Sequence, residues 1–351
     1  MSDPLDGRLL CHINLARAYR GGERQAELLI RDLSARGVRQ RLIVRKGNVL
    51  FERHCGDIPG LRIVAVSGKA FGAALAARGA DLVHAHEGQA FYAAALARLF
   101  HRVPYVLTRR VPNPQRPSLP RTLAYSWAGR FTGVSQAVAR NVRERHPDLD
   151  VVVIPDAHAS LDASADVVAA LRAEYPGKRL IGHVGALDDA HKGQRTIIAA
   201  ARRAAVEHPD WQFVLCGDGR DEGSLKAEAA GLGNLSFAGF VNNVGDYLAS
   251  FSAFVFPSNF EAMGSSLLDA MHFGLPIVAS RTGGITEIVE DRVNGLLISP
   301  RDSDALVASL DAVLSDPETS ERLSRANRAK AKRYDASAMA NAYLAEYRAL
   351  L

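Results

Sequence analysis

The stretch PSNFEAMGSSLLDAMHFGLPIVASRTGG, residues 257–284, carries two carboxylates, Glu261 and Asp269, eight positions apart among small residues. The apolar run AFVFPS leads into it, and a second run, PIVAS, follows. Between them Leu267, Leu268 and Met271 supply the apolar stripe of a helix that stops at Gly274. Strand, loop, helix and strand in that order make the βαβ unit of a parallel sheet. The helix N-terminus falls near Gly264-Ser265-Ser266, where small side chains leave unpaired N–H groups open to an anion such as a phosphate. Eight residues of helix span roughly 12 Å. Paired glycosidase carboxylates stand about 5 to 9.5 Å apart across one bond, so the spacing better suits two grips on one elongated ligand. On the residues alone a plainer reading stands beside it, with Glu261 favouring the helix dipole and Asp269 on a solvated face.

The same alternation extends in both directions. RLLCHINL, RLIVR, RIVAV, DLVHAH, YVLTR, FTGVS and VVVIP read as strands in the first half, with helices expected over Glu23–Arg36 and Gln89–Phe100. LIGHVG, QFVLCG, LSFAG, AFVFPS, PIVAS and GLLIS repeat the pattern in the second half. Near-continuous apolar runs of this kind belong to strands covered on both faces. DAHASLDASADVVAALRAEYPGKR lies between the two series and places a domain boundary near residues 156–178. Met339, Tyr343 and Tyr347 have helical spacing in a closing amphipathic helix, residues 336–351. Two α/β domains are therefore expected, residues 1–158 and 159–335, the closing helix packing back on the first.

Composition is that of a globular chain: 351 residues, 48% hydrophobic and 23% charged. No run approaches the roughly 20 apolar residues of a membrane span, and MSDPLDGRLLCHINLA lacks the form of a signal peptide. Cys11, Cys55 and Cys216 have no metal-ligand spacing and read as reduced thiols, so a cytoplasmic protein is expected. Residues 1–150 hold 24 Lys and Arg against 12 Asp and Glu, the remainder 19 against 26. A basic first half suits an anionic partner, and a surface solubilised by arginine is the alternative.

Ligands of parallel sheets sit beyond the carboxyl ends of the strands, and the glycines fall there. YRGGERQ places Gly21 and Gly22 after the first strand, LCGDG places Gly217 and Gly219 after another, and RTGG follows a third. Neither half has a GxGxxG with a ribose-binding acid, which argues against a dehydrogenase. Asp148/Asp150 and Asp302/Asp304 have the spacing of a metal-binding pair. The first precedes a strand and the second sits at a helix start, where Asp caps, so no metal is assigned.

From residue 253 to Gly295 the sequence resembles the donor-binding segment of the retaining glycosyltransferases of family 4, which carry an E-x7-E pattern. VGALDDAHKGQRTIIAA resembles that family's Gly-then-Lys-Gly segment, and LCGDG its Gly-x-Gly. YRGGERQ resembles its N-terminal glycine loop, and DLVHAHEG its strand ending in histidine. The resemblance implies a GT-B fold, two Rossmann-like domains whose parallel sheets face a central cleft. It makes Glu261, His86 and Lys192 the catalytic candidates. Donor contacts would come from Gly21, Gly22, Gly185, Lys192, Gly217, Gly219, Phe240, Glu261, Ala262, Met263, Gly264, Ser265, Ser266 and Asp269. Lys192 would balance charge on the leaving diphosphate, the kind of preorganised charge that is usually the largest catalytic contribution. Asp269 stands where the family has Glu, one methylene shorter, and Ala186 where it often has Arg. Arg20, Arg109 and Arg110 are the cations that can replace that arginine, and with His86 they make the acceptor-side set.

The resemblance implies a metal-independent, retaining hexosyltransferase with no cofactor beyond its co-substrate, a nucleotide-diphosphate sugar, with UDP-sugar the first choice. The first domain would bind acceptor and the second donor. An anionic glycan or glycolipid acceptor is expected, such as lipopolysaccharide core, on the inner face of a bacterial inner membrane. TRRVPNPQRPSLPR would be its loop, and nucleic acid is not an expected partner. The alternatives are a GT-B-type epimerase or phosphorylase and a non-catalytic scaffold subunit.

Overall fold

The computed structural model describes residues 4–48, 53–67, 69–111 and 118–351. The chain divides into two compact units, residues 1–157 with 336–351, and residues 158–335. Among the described residues the first holds seven strands: β1 (Leu9–Asn14), β2 (Arg39–Arg45), β3 (Arg62–Val66), β4 (Leu82–Ala85), β5 (Tyr105–Arg109), β6 (Arg130–Gly133) and β7 (Val151–Val153). Every pairing is parallel, in the order β3-β2-β1-β4-β5-β6-β7. The second holds β8 (Arg179–Val184), β9 (Trp211–Cys216), β10 (Leu235–Gly239), β11 (Ala253–Phe256), β12 (Ile277–Ser280) and β13 (Leu296–Ile298). These are also parallel, in the order β10-β9-β8-β11-β12-β13. Each of the thirteen apolar runs read from the sequence is a strand.

Alternation along the strands sorts side chains onto the two faces of the first sheet. Cys11, Ile13, Val83, Ala85, Tyr105, Leu107 and Phe131 meet Phe91 and Tyr125 on one face. Leu10, Leu82 and Val106 join Leu29, Leu33, Met339, Tyr343 and Tyr347 on the other. The closing helix, Ala336–Arg348, therefore packs on the first unit and buries its aromatic stripe there.

One boundary differs from expectation in a way that matters. The first helix spans Gly21–Ala35, so both glycines of YRGGERQ are its opening turn rather than a preceding loop. Arg20 is the extended cap residue, and its N–H donates to Glu23 Oε2 at 3.0 Å. That bond, made by an acid at the third helical position, lets the helix begin on glycine despite glycine's low propensity. The other helix expected in this half runs Gly88–His101, starting where Glu87 accepts the N–H groups of Gln89 and Ala90.

Candidate functional site

In the second unit the site is assembled at the C-terminal ends of β8 and β11. The short helix Asp189–Lys192 follows β8 and ends at Gly193, whose φ is +68°. A Cβ on Gly193 would lie 2.1 Å from the Pro257 carbonyl oxygen, so glycine lets this turn press against the loop after β11. Asn259 N–H donates to His191 O at 2.8 Å, and Asn259 Nδ2 donates to Asp189 O at 3.0 Å. Lys192 and Glu261, 69 positions apart in sequence, are thereby brought together, with Nζ 2.5 Å from Oε2. The ammonium lies 5.1 Å from the centroid of the Phe256 ring, a cation–π contact. Both side chains are mostly buried, at 22% and 12% exposure, so water screens the pair only in part.

The helix Ser265–His272 starts beside this pair. Gly264 is its cap residue, with φ +97°. Ser266 Oγ donates to the carbonyl of Val184, the last residue of β8, at 2.9 Å. The helix end, with its first-turn N–H groups, is thus fixed beside the strand that leads to Lys192. The remaining glycines are backbone spacers of the same region. Gly185 N–H donates to Cys216 O at 3.0 Å, Gly217 N–H to Gly239 O at 2.7 Å, and Gly219 follows Asp218, whose carbonyl accepts Leu187 N–H at 2.8 Å. Ala262 and Met263 are buried under the loop, and Phe240 is exposed just beyond β10.

Asp269 takes a position its sequence did not announce. It is buried within the helix, and its Oδ1 accepts the backbone N–H of Ala159 at 2.8 Å. One lobe of the shortened acid therefore holds the start of its own unit. Asp302, from one of the metal-like pairs, accepts Ala305 N–H at 2.8 Å and caps the helix Ser303–Leu314.

The first unit carries a second polar constellation. His12 pairs with His84 across β1 and β4, and Thr108 pairs with Thr132 across β5 and β6, all on the face that meets the closing helix. His86, just past β4, lies against His84 with ring centroids 3.9 Å apart and planes tilted by 37°. His12 Nδ1 lies 2.9 Å from His86 Nε2, and His12 Nε2 lies 3.0 Å from Gln40 Oε1. His84 bonds Tyr347 through Nδ1 and Thr108 through Nε2, each at 2.6 Å. Burial holds all three imidazoles neutral, with His12 pushed down to about 4 and His84 and His86 well below their usual value. The three rings bring nitrogens within 4.8 Å of one another, a spacing a metal ion could use. Both nitrogens of His12 and of His84 are already hydrogen-bonded, which leaves His86 Nδ1 as the ring nitrogen turned away from the cluster.

Arg110 faces that nitrogen, with Nη1 3.5 Å from His86 Nδ1 and Nε 3.0 Å from Asp156 Oδ1. Its Nη2 is buried without a hydrogen-bond partner among the described residues. Its Cδ lies 3.9 Å from where a Cβ on Gly22 would stand, at the N-terminus of the first helix. Burial opposes its charge, but Asp156, Tyr343 and Glu23 more than offset this and hold the guanidinium above its ordinary value. Burial pushes the Glu23 carboxyl up, against the N–H groups of Arg20 and Asn14 Nδ2.

Sequence reading treated Arg20, Arg109 and Arg110 alike, and the fold separates them. Arg109 is on the opposite face of β5, buried with Nη1 3.2 Å from the Tyr125 hydroxyl. Arg20 is exposed at the helix cap. Arg110 alone of the three reaches His86. Missed altogether were Gln40, Asn14, Glu23 and Asp156, although a polar residue on the inward phase of β2 and an acid directly after β7 were available signals. Of the proposed loop TRRVPNPQRPSLPR, residues 112–117 lie outside the described residues.

Among the described residues no helix is long and apolar enough to cross a membrane. The chain is 30% identical over 148 residues to an uncharacterised glycosyltransferase of Haemophilus influenzae, covering 41% of this chain and 42% of that one. It is 27% identical over 293 residues to an alpha-maltose-1-phosphate synthase of Mycobacterium tuberculosis, covering 72% and 74%. The chain thus spans less than half the length of the first relative. The crystal structure of the HepE protein of Anabaena in complex with UDP and glucose superposes with a TM-score of 0.84 at 20% identity, covering 98% of this chain and all of that one. At that identity the likeness establishes the fold, two parallel-sheet domains of the GT-B type. Residues 19–157 match the family described as Glycosyltransferase Family 4, and residues 171–330 the one described as Glycosyl transferases group 1. Together these two matches span most of the molecule, and the chain belongs to the family 4 glycosyltransferases.

Proposed function

We propose that the protein is a retaining glycosyltransferase that moves a hexose-type sugar from a UDP-sugar to a hydroxyl of an anionic glycan or glycolipid. The observation that carries this is the Lys192–Glu261 pair beside the N-terminal turn Gly264-Ser265-Ser266. A diphosphate is drawn to both the ammonium and the helix end, and Glu261 is placed to accept sugar hydroxyls while it steadies Lys192. Breaking the sugar–phosphate C–O bond puts charge on the diphosphate, where fixed positive groups lower the barrier most. With the acceptor on the face the diphosphate leaves, the new C–O bond forms with retention and the acceptor proton passes to the departing phosphate oxygen. His86 and Arg110 are the first unit's candidates for holding the acceptor. Family membership and the UDP and glucose bound in the HepE crystal structure support the reading. A transfer and hydrolysis assay across UDP-, GDP-, ADP- and CMP-sugars tests it. Glu261→Ala is expected to abolish turnover while retaining the wild-type unfolding transition, and near-normal turnover in that variant refutes the assignment.

The acceptor is further proposed to be presented on an anionic membrane surface, as lipopolysaccharide core would be. The helices Ala70–Ala76, Gly88–His101 and Leu119–Ser126 pack side by side. They expose Phe71, Leu75, Leu99, Phe100, Leu123 and Trp127, with Phe71 and Phe100 in edge contact. Between Glu87 and Glu144 the sequence has nine arginines and no carboxylate. Apolar anchors set in an arginine-rich stretch with no carboxylate of its own favour an anionic bilayer. Sedimentation with phosphatidylglycerol vesicles, reduced in Leu99→Ser/Phe100→Ser, is expected, and no preference over phosphatidylcholine overturns this part.

A further inference from the structure

We propose that Gln40 and His12 are positioning residues that hold His86 as its Nε2–H tautomer, so that His86 offers a ligand hydroxyl an acceptor at Nδ1 and never a donor. This rests on the reading of His86 as a substrate-facing group.

The assignment follows from one carbonyl. Ile30 O lies in the first helix and can only accept, and Gln40 Nε2 donates to it at 3.0 Å. The amide orientation is thereby fixed, since its reverse would set two oxygens against each other. Gln40 must then turn Oε1 to His12, 3.0 Å from Nε2, and Nε2 must carry the His12 proton. A neutral imidazole has one N–H, so His12 Nδ1 is a lone pair and can only accept. Its partner at 2.9 Å is His86 Nε2, which must donate. The remaining nitrogen, His86 Nδ1, is the lone pair that faces Arg110 Nη1 at 3.5 Å, a donor whose charge agrees with that polarity. Ile30 O, Gln40, His12 and His86 thus form a chain with one direction of donation, anchored at one end by a backbone carbonyl; at the other, the single lone pair of His86 Nδ1 meets Arg110 only at the 3.5 Å limit of a hydrogen bond, so a ligand donor takes it in Arg110's place.

A second chain keeps the neighbouring ring out of this one. Thr132 Oγ1 donates to Leu107 O at 3.2 Å and so accepts from Thr108 Oγ1 at 2.7 Å. Thr108 then accepts His84 Nε2–H at 2.6 Å, and Tyr347 O–H donates to His84 Nδ1. His84 lies tilted against His86 without exchanging a proton with it. The consequence for specificity is a requirement that a ligand present a hydroxyl, or another donor, to Nδ1. A ligand with an ether or fluorine at that position sets acceptor against acceptor.

The test reads the tautomer directly. Two-bond proton–nitrogen correlation spectra of full-length protein labelled with ¹⁵N-histidine, with His86 identified by its loss in His86→Gln, are expected to show pyridine-like Nδ1 and pyrrole-like Nε2. The opposite pattern in the wild type overturns the proposal, the His86→Gln variant serving only to assign the resonances. In Gln40→Met, one hydrogen bond's worth of bias is removed. The Nδ1–H form should then gain roughly fivefold, with kcat falling in proportion to the tautomer lost and donor KM unchanged. An unaltered tautomer ratio in folded Gln40→Met also overturns it. If wild-type protein transfers no sugar, the spectra still read the tautomer, and only the proposed activity fails.

Discussion

Gly284 offers a sharp test of how the catalytic loop is supported. Its φ is −70°, an ordinary value, so alanine there introduces no backbone strain and any effect is steric. A Cβ on Gly284 would stand 1.9 Å from the Ala262 carbonyl oxygen and 3.0 Å from Met263 Cα. Gly284 N–H also donates to Glu261 O at 3.2 Å, so the glycine segment and the Glu261 loop are in direct backbone contact. Relieving the clash means moving the loop by about 1 Å, because the obstructing atoms are main chain and cannot rotate away. Overpacking of this kind costs about 1–3 kcal/mol. A displacement of about 1 Å at a reacting group costs roughly 10²-fold in rate. We therefore expect Gly284→Ala to lower the denaturant midpoint modestly and kcat by about two orders of magnitude. Gly223→Ala is the control, since nothing lies within 4 Å of its added methyl and the residue is helical. It should be neutral or stabilising by roughly 0.5–1 kcal/mol. Steady-state kinetics with a labelled UDP-sugar, alongside urea unfolding, measure both. If Gly284→Ala keeps kcat within about twofold of wild type, the glycine does not support Glu261 and the reasoning fails.

Two further outcomes follow from buried polar groups. Burial lowers His12 and His183 from 6.5 to about 4 in the folded chain. Between those values the unfolded chain binds protons that the folded one refuses. Stability should be full above pH 6.5 and decline as pH falls toward 4, with about 1.4 kcal/mol per pH unit from each histidine. A flat urea midpoint between pH 7 and 5 would contradict their neutral burial. Asp269→Ala should leave the Ala159 N–H without its acceptor, at a cost of about 1–3 kcal/mol. Asp269→Asn keeps an acceptor and should restore most of that stability, and equal unfolding midpoints for the two variants would remove the structural role.

The order of the elements was written in the sequence. Runs such as LLCHIN and FVLC are too continuously apolar to face water on either side, and glycines just after them can only be turns, so two parallel sheets follow. The small residues at 264–266 were legible for the same reason, because a helix start is local chemistry, whereas Lys192 and the role of Glu261 came only from the family resemblance. Tertiary structure alone decided the rest. Whether Arg109 or Arg110 meets His86 depends on which face of β5 each occupies and what covers it, and a one-residue step along a strand reverses the answer. Asp269 was expected to reach a ligand. Its Oδ1 accepts the N–H of Ala159, a partner 110 positions away that no local pattern announces. The polarity of the Gln40–His12–His86 chain is likewise non-local, because β1, β2 and β4 are neighbours only through sheet order. Sequence sets each residue's donors and acceptors. Only the fold, by bringing one fixed carbonyl against Gln40, decides which way the protons point.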